Sequence, residues 1–263
     1  MWLTSINWFL YTLVVLSIGS YAAAFTVRWP IKNIYLWEKE AHALLQLPFS
    51  KHLPANINNN RSFCFDCHFP LSWQDLIPLL SYIMLKGKCR YCQSRISYRY
   101  PAIEFLHLIG SFPLLFIFDD TYQLILHTLL VSVLITAAVI DLEHQLIPDE
   151  CSTIALACAL LINLPTNRIE SSVLGMIIGY GLIYVLRWFY LTFRNQEGIG
   201  LGDAKIIAAL AAWLGFSGLA PLLLCASLSG ILYTVLINRS RAKYMAFGPF
   251  LIFSAMMVFY FSL

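Results

Sequence analysis

The segment Gly198–Lys205 reads G-I-G-L-G-D-A-K, and the apolar run I-I-A-A-L-A-A-W-L follows it directly. Asp203 thus stands at the start of an apolar segment, where a carboxylate is rare and usually functional. A second acidic segment, D-L-E-H-Q-L-I-P-D at Asp141–Asp149, ends another apolar run. We expect these two segments to organise the fold and to bring Asp141 and Asp203 together.

The composition excludes an ordinary soluble domain. Hydrophobic residues make up 59% of the 263-residue chain, and charged residues make up 12%. Soluble globular domains carry about 25% charged residues, so the chain is expected to be an integral membrane protein in contact with the lipid bilayer. Its net charge of +3 is too small to indicate a nucleic-acid partner.

The apolar runs predict an all-α polytopic membrane protein with about eight transmembrane helices. They occupy residues 3–25, 102–118, 122–140, 150–164, 171–193, 204–216, 219–237 and 245–263. The runs that start at 150 and 204 are shorter than the ~20 residues that a straight crossing requires. Gly218 is expected to separate the run that starts at 204 from the next one.

Three domains follow from this pattern. We expect a first transmembrane helix in residues 1–27, an extramembrane domain in residues 28–101 and a membrane-embedded domain in residues 102–263. The extramembrane segment holds ten of the seventeen basic residues. Because basic loops stay in the cytoplasm, this domain is predicted to be cytoplasmic and the N-terminus to lie outside. Counting crossings then places both Asp141 and Asp203 at the cytoplasmic face.

Four cysteines predict a metal site in the extramembrane domain. Cys64 and Cys67 form one C-x-x-C pair, and Cys89 and Cys92 form a second pair after 21 intervening residues. Two such pairs suit one tetrahedral structural zinc site, and a reducing cytoplasm argues against disulfides. The alternatives are four free thiols or a redox pair. The remaining cysteines lie in apolar runs and are expected to pack as small hydrophobic residues.

Each acidic residue also has a simpler interpretation. Asp149 follows Pro148 and could be a helix N-cap or a supporting residue of a site. Asp203 could cap the helix that starts at Ala204. Asp141 could be a charge at the membrane boundary, although a helix C-terminus disfavours a negative charge. Lys205 could extend its amine to the membrane surface or favour ionisation of the acidic pair.

Capping alone does not explain the glycines, including Gly200 and Gly202, that precede Asp203. Glycine permits unusual dihedral angles and the close approach of another backbone, as an extended peptide substrate requires. Two adjacent carboxylates do not both ionise easily, so one would hold a proton while the other acts as a base. The base would activate water and the acid would hydrogen-bond a scissile carbonyl. His107 and His127 stand alone in apolar runs and are expected to be core histidines.

Together these residues resemble the type IV prepilin peptidase family, the bifunctional leader peptidases and N-methyltransferases of bacterial inner membranes. The resemblance covers nearly the whole chain. It includes the four cysteines, I-P-L-L-S-Y from Ile77, L-K-G-K-C-R-Y-C from Leu85, I-S-Y-R-Y-P-A-I-E from Ile96, the segment from Asp141 to Asp149, the G-x-G-D motif at Gly200–Asp203, and G-P-F at Gly248–Phe250. The family resemblance implies that Asp141 and Asp203 are the catalytic acids.

The resemblance also implies the substrates and the location. Prepilins and type II secretion pseudopilins carry a short basic leader that ends in Gly, followed by an apolar helix. Cleavage between the two occurs at the cytoplasmic face of the inner membrane, in agreement with the position derived above for the aspartates. The new N-terminal residue, usually Phe, is then methylated with S-adenosylmethionine.

Three departures from the family pattern lie in the N-terminal part, which the family associates with methylation. The first helix reads G-S-Y-A-A from Gly19 and lacks the expected Asn, Phe65 replaces a Pro, and Leu76 replaces an Asn. A peptidase that has lost methylation is therefore one alternative. A proton-coupled transporter would also use membrane carboxylates, but it gives no role to the four cysteines. A non-catalytic scaffold in a pilus assembly complex is the third.

Overall fold

The computed structural model describes residues 2–53, 61–195, 200–236 and 245–262. These residues form ten α-helices: α1 (Trp2–Leu44), α2 (Leu80–Met84), α3 (Arg99–Ser111), α4 (Leu114–Ile117), α5 (Thr121–His144), α6 (Asp149–Asn163), α7 (Ile169–Arg194), α8 (Leu201–Leu214), α9 (Phe216–Leu236) and α10 (Gly248–Ser262). A 3-10 turn spans Trp73–Leu76, and two isolated β-bridges flank the cysteine pairs. The predicted all-α class is confirmed.

Five helical segments of the described chain are long and apolar enough to cross a membrane. They are α1, the segment Arg99–Ile117 formed by α3 and α4, and the helices α5, α7 and α9. The helix α10 is apolar but shorter, and α6 and α8 have 15 and 14 residues. Each of the eight predicted apolar runs thus contains a helix, and the chain is a multi-pass membrane protein.

The first helix continues beyond residue 27, the predicted end of the first transmembrane segment. It reaches Leu44 and contains Pro30. The polar residues after Arg28 suggested a loop, but Lys, Glu, Leu and Ala are good helix formers. The indole rings of Trp29 and Trp37 also pack edge to face at 6.2 Å, which adds side-chain contact to this part of the helix.

The break before α9 lies at Gly215 and not at the predicted Gly218. Gly215 has a φ of 75°, a conformation that side-chain-bearing residues rarely adopt. A Cβ at this position would also lie 2.8 Å from Oγ of Ser171. Gly218 lies inside α9, where a Cβ would meet the Leu214 side chain. The local φ requirement therefore decides where the chain turns.

The chain divides into two compact units, residues Met1–Pro113 and Leu114–Leu263. In the second unit α8 is the central helix and packs against α6, α7, α9 and α10. All of its residues from Ile206 to Trp213 are buried. The same helix carries Asp203 in its first turn, so the most buried helix of the unit positions that carboxylate.

Small residues let α7 approach α8 closely. A Cβ at Gly175 would lie 2.5 Å from the Ala211 carbonyl oxygen, and a Cβ at Gly179 would lie 3.1 Å from Cβ of Ala211. Side chains also satisfy carbonyls near the C-terminal end of α8, since Asn163 Nδ2 and Ser172 Oγ donate to the Ala212 oxygen at 3.0 and 2.6 Å. Such small-residue contacts and interhelical hydrogen bonds stabilise membrane helix packing.

In the first unit α3 packs along α1. The Arg99 guanidinium donates to Thr26 Oγ1 at 2.8 Å and to the Ala23 carbonyl at 3.3 Å. A Cβ at Gly19 would lie 3.0 Å from Cα of Glu104, so the two helices touch at this point. These contacts fix the start of α3 against the middle of α1.

Candidate active site

Asp141 lies in the last turn of α5 and is 5% exposed. Its Oδ2 accepts a hydrogen bond of 2.9 Å from the backbone N–H of Gly248, the first residue of α10. The positive end of the α10 dipole therefore faces the carboxylate, and a helix N-terminus stabilises a negative charge there. This contact from a distant helix offsets the unfavourable position of Asp141 at the C-terminal end of α5.

Gly248 is a site residue that the sequence interpretation did not include. A Cβ at this position would lie 2.6 Å from Oδ2 of Asp141 and 3.2 Å from its Cγ. Real Cβ atoms essentially never make contacts this short, so only glycine fits without movement. The G-P-F segment at Gly248–Phe250 was a visible signal, but its spacing alone does not show which carboxylate it meets.

Asp203 is the third residue of α8 and is half-buried. The helix begins at Leu201 with Gly200 as its N-cap, so the interpretation of Asp203 as the N-cap is wrong. The Asp203 carboxylate instead accepts a hydrogen bond from the backbone N–H of Gly200. This is the contact that the third residue makes in a capping box, and it holds the carboxylate at the mouth of the helix.

The two glycines of the G-x-G-D motif have different surroundings. Gly200 has a φ of −70° and a ψ of 149°, which other residues also adopt. A Cβ at Gly202 would lie 3.2 Å from Cβ of Ile147. Close approach of a neighbouring side chain, and not an unusual dihedral angle, is therefore the reason for glycine at position 202. Gly198, the first glycine of the segment, lies outside the described residues.

The structure brings the two predicted acids near each other. The Ile147 side chain contacts both glycine positions, since its Cδ1 would lie 3.2 Å from a Cβ at Gly248. It thus links the start of α8, which carries Asp203, to the start of α10, which holds Asp141. The charge of Asp203 acts electrostatically on Asp141. Together these contacts place an oriented pair of carboxylates at one end of α5, α8 and α10.

Lys205 and Asp149 pair with each other. Nζ of Lys205 lies 2.6 Å from Oδ1 of Asp149, and their side chains are 42% and 69% exposed. The helix α6 begins at Asp149 with Pro148 in the N-cap position, so Asp149 is not the cap. A carboxylate in the first helical turn still suits the dipole. The ion pair joins α6 to α8 beside the acidic pair.

The two isolated histidines are core residues, as predicted. Nδ1 of His107 lies 2.9 Å from the Ile103 carbonyl oxygen, and Nδ1 of His127 lies 2.8 Å from the Gln123 oxygen. Both residues are buried. The cysteines of the apolar runs differ, since Cys151 and Cys158 are buried, as expected, while Cys225 is exposed on α9.

The four cysteines of the first unit lie together. Their sulfur atoms are all within 4.8 Å of one another, and the Sγ atoms of Cys64 and Cys92 are 3.8 Å apart. A tetrahedron with Zn–S bonds of about 2.3 Å has sulfur–sulfur edges of roughly 3.8 Å. Cys64, Cys67, Cys89 and Cys92 therefore form a cluster that could hold a metal ion.

Hydrogen bonds favour the thiolate form of Cys92. The Ser94 hydroxyl lies 3.1 Å from Sγ of Cys92. This contact and the Ser94 backbone N–H lower the pKa of Cys92 to about 6. Since the thiolate is the metal ligand, Cys92 is suited to bind a cation near neutral pH, whereas desolvation and the neighbouring Cys92 and Cys64 thiols raise the pKa of Cys67 to about 11.

An ion pair supports the same segment. Oδ1 of Asp75 lies 2.7 Å from Nε of Arg90, next to Cys89, while the Ser72 hydroxyl donates to Oδ2 of Asp75 at 2.7 Å. Burial favours the neutral carboxyl, but the hydrogen bonds from Ser72 and Arg90 outweigh it and lower the pKa of Asp75. The charged pair thus connects the 3-10 turn to the second cysteine pair.

Comparison with known proteins covers both units. The model of the Bacterial Peptidase A24 N-terminal domain matches residues 13–118, and that of the Type IV leader peptidase family matches residues 128–235. These matches include the four cysteines and both acidic motifs. The transporter interpretation gains no support from them.

Relatives with assigned names match over nearly their full length. The prepilin leader peptidase/N-methyltransferase of Aeromonas salmonicida (strain A449) is 34% identical over 93% of this chain and 88% of its own. The protein of the same name from Neisseria gonorrhoeae is 32% identical over 93% and 87%. The type 4 prepilin-like proteins leader peptide-processing enzyme of Escherichia coli O78:H11 is 32% identical over 89% and 86%.

No solved structure matches the chain significantly. Its similarity to the named relatives nevertheless extends through both units, and identity of this level over most of both chains establishes common family membership. The chain belongs to the type IV leader peptidase family.

Proposed function

We propose that this protein is a prepilin leader peptidase and N-methyltransferase. It removes the short basic leader from type IV prepilins and type II secretion pseudopilins, and it methylates the new N-terminal residue, often Phe, with S-adenosylmethionine. The named relatives, at 32–34% identity, support both activities. The geometry of Asp141 and Asp203 supports the first.

The observation that carries the peptidase proposal is the buried Asp141 carboxylate at the N-terminus of α10 with Asp203 in electrostatic range. One aspartate acts as the base that takes a proton from water. The other is protonated and hydrogen-bonds the scissile carbonyl, which supports the tetrahedral intermediate. The proton then passes to the leaving amine and the peptide bond breaks. The Gly248 and Gly200 N–H groups hold the two carboxylates in place for these steps.

Methylation needs a neutral amine. The new N-terminal ammonium first loses a proton, and the amine lone pair then forms a bond to the methyl carbon of S-adenosylmethionine. The carbon–sulfur bond breaks, its electrons remain on sulfur, and S-adenosylhomocysteine is released. The proton lost by the ammonium goes to water, and the product is the methylated ammonium, which carries the positive charge that the sulfur loses.

The four-cysteine cluster is proposed to hold a structural zinc ion through Cys64, Cys67, Cys89 and Cys92. The zinc would stabilise residues 61–98. In this segment the described regular structure consists of one short helix, one 3-10 turn and two isolated β-bridges. The relatives support an inner-membrane protein. The positive-inside rule supports an N-terminus in the periplasm, with the cluster and the aspartates at the cytoplasmic face. The loop at 238–244 holds Arg239, Arg241 and Lys243, so its basic character favours the same orientation; it lies outside the described residues.

The direct experiment treats a purified prepilin with the detergent-solubilised enzyme and S-adenosylmethionine. Intact-mass measurement of the product reports cleavage and methylation together. We expect loss of the leader and a gain of one methyl group at the new N-terminus. Cleavage without methylation would show that the protein is a peptidase only. An unchanged prepilin would overturn the whole proposal.

A further inference from the structure

The short helix α2 of the N-terminal unit has an exposed apolar face. Leu80, Ile83 and Met84 follow the i, i+3, i+4 spacing that places side chains on one side of a helix, and they are 51%, 70% and 73% exposed. Ser81 and Tyr82, between them in sequence, are half-buried. Single exposed apolar side chains are common, but a contiguous apolar face indicates an interaction surface.

Exposed aromatic side chains stand on both sides of α2 in the sequence. Trp73 begins the 3-10 turn before α2, and Tyr98 directly precedes α3; both are largely exposed. Tryptophan and tyrosine are enriched where a membrane meets water, because one end of each ring system is apolar and the other is polar. These residues therefore favour the membrane interface as the location of the segment.

A hydrogen bond sets the depth of α2 relative to α3. The N–H of Leu79, the N-cap of α2, donates to Oε2 of Glu104 at 2.8 Å. Glu104 lies five residues after Arg99, the start of α3, or roughly 8 Å along the helix. The spanning segment Arg99–Ile117 has 19 residues, and a crossing requires about 20. Its second turn therefore lies within the membrane, and the start of α2 is held beside it.

The first helix indicates the same depth. A Cβ at Gly19 would lie 3.0 Å from Cα of Glu104, so these two residues are at one level. The apolar run of α1 continues to Phe25, roughly 9 Å beyond Gly19. Tyr21 of α1 and Phe105 of α3 are exposed near this level, where lipid surrounds spanning helices. The exposed face of α2 thus continues a lipid-facing surface.

Basic side chains follow the apolar face. Lys86 and Lys88 come directly after α2, and both are exposed. In the proposed orientation they lie at the cytoplasmic leaflet, whose anionic lipids attract basic residues near the membrane. An apolar face with adjoining lysines is the arrangement of a helix that lies in the membrane interface.

We infer that α2 is inserted into the cytoplasmic leaflet of the bilayer, with its apolar face among the acyl chains and with Lys86 and Lys88 at anionic headgroups. Part of the segment 28–101, which was predicted to be extramembrane, then lies in the membrane. Because Cys89 follows Lys88, this anchor holds the four-cysteine segment at the bilayer surface. The inference depends on neither of the proposed enzymatic activities.

Photocrosslinking of the full chain in lipid nanodiscs tests the insertion. The photoreactive residue p-benzoylphenylalanine takes the place of Ile83, and intact-mass measurement after irradiation detects covalent lipid adducts. The lipid-facing Tyr21 is the positive control. Glu40 is the negative control, because it is exposed on α1 about 22 Å beyond Phe25. We expect lipid adducts at the Ile83 and Tyr21 positions and none at the Glu40 position.

Two results would overturn the inference. Adducts at the Tyr21 position without adducts at the Ile83 position would show that α2 lies in water. A cross-link between two copies of the chain at the Ile83 position would show that the apolar face is an interface between proteins. If the Ile83 variant does not keep the wild-type thermal stability in detergent, the same replacement at Met84, on the same face, decides the question.

Ile83→Asp tests the insertion without an added apolar probe. An exposed residue in water tolerates this change, whereas a lipid-buried isoleucine does not, so the variant should release α2 from the leaflet. We expect tryptic cleavage after Lys86 and Lys88 in nanodiscs to be faster than in the wild type by on the order of tenfold or more. Leu47→Asp, at an exposed leucine beyond α1, is the matched control and should be cleaved like the wild type. Equal cleavage of the Ile83 variant and the wild type would contradict insertion.

The lipid composition tests the role of the lysines. In nanodiscs of phosphatidylcholine mixed with phosphatidylglycerol, adducts at the Ile83 position should favour the anionic lipid. Lys86→Gln should reduce this preference by roughly fivefold, whereas Lys51→Gln, at an exposed lysine that pairs with Glu38, should leave it unchanged. A preference that does not change in the Lys86 variant would contradict the headgroup contact.

Discussion

The backbone N–H of Gly248 donates a 2.9 Å hydrogen bond to Oδ2 of Asp141. Through this contact the first residue of α10 orients an acid that lies in the last turn of α5. The proposed base–acid pair thus depends on the packing of α10 as well as on the two helices that carry the aspartates. The relationship makes Gly248 a positioning residue for Asp141.

Gly248→Ala is expected to reduce leader cleavage. The added Cβ would lie 2.6 Å from Oδ2 of Asp141, so the carboxylate or α10 must move. A displacement of about 1 Å in a catalytic group costs on the order of 10²-fold in rate. Steady-state cleavage of a prepilin measures the effect. Gly181→Ala is the matched control, because a Cβ at Gly181 meets nothing within 4 Å; equal rates for the two variants would contradict the assigned role.

The ion pair between Lys205 and Asp149 is expected to contribute little to catalysis. Both side chains are substantially exposed, and exposed pairs contribute about 0–1 kcal/mol. Asp149→Asn and Lys205→Gln should therefore each cleave within about fivefold of the wild-type rate. A much larger loss in the Lys205 variant alone would show that the amine acts on the acidic pair. A loss in the Asp149 variant that matches that of an Asp141 variant would make Asp149 a third catalytic candidate.

Zinc content tests the four-cysteine cluster. Elemental analysis of the purified protein should find about one zinc per chain, as expected for a tetrahedral site with four thiolates. Cys92→Ser removes one ligand and should lower the zinc content and expose residues 61–98 to proteolysis. Cys225→Ser, at an exposed position outside the cluster, should keep the metal. Full zinc content in the Cys92 variant would contradict the four-sulfur site.

The ion pair between Asp75 and Arg90 predicts a pH dependence for the same segment. The folded protein lowers the pKa of Asp75, so the stabilisation is complete above the unfolded value of about 3.9 and is lost as the pH falls through the folded value. Asp75→Asn should destabilise the segment by about 1–2 kcal/mol at neutral pH. Proteolysis rates within residues 61–98, measured at pH 7 and pH 3, compare the wild type with Asp75→Asn. The wild type should be cleaved more slowly than the variant at pH 7, and a difference between the two that is larger at pH 3 would contradict the assignment.

Local spacing predicted the features that short stretches determine. The C-x-x-C pairs gave the sulfur cluster, and the apolar runs gave the helices of the membrane domain. The acidic motifs gave two carboxylates at helix ends. In each case the signal is a short contiguous stretch: a C-x-x-C pair, an apolar run or an acidic motif.

Contacts across long stretches of chain were not accessible in this way. The hydrogen bond from Gly248 to Asp141 joins residues 107 positions apart, and the Lys205–Asp149 pair joins residues 56 apart. Such pairings depend on how helices pack, which neither helix propensity nor charge pattern specifies. The N-cap alternative for Asp203 is wrong for a local reason, since the helix begins two residues earlier, at Leu201, and Gly200 takes the N-cap position.

The most direct test of the account compares leader cleavage by the wild type with that of Asp141→Asn and Asp203→Asn, using Asp149→Asn as the control. Removing a general acid or base costs roughly 10²–10⁴-fold in rate. The paired-carboxylate account predicts a loss of this size in both single variants, with wild-type thermal stability in detergent and near-normal cleavage by the control. Wild-type cleavage by either the Asp141 or the Asp203 variant would contradict it.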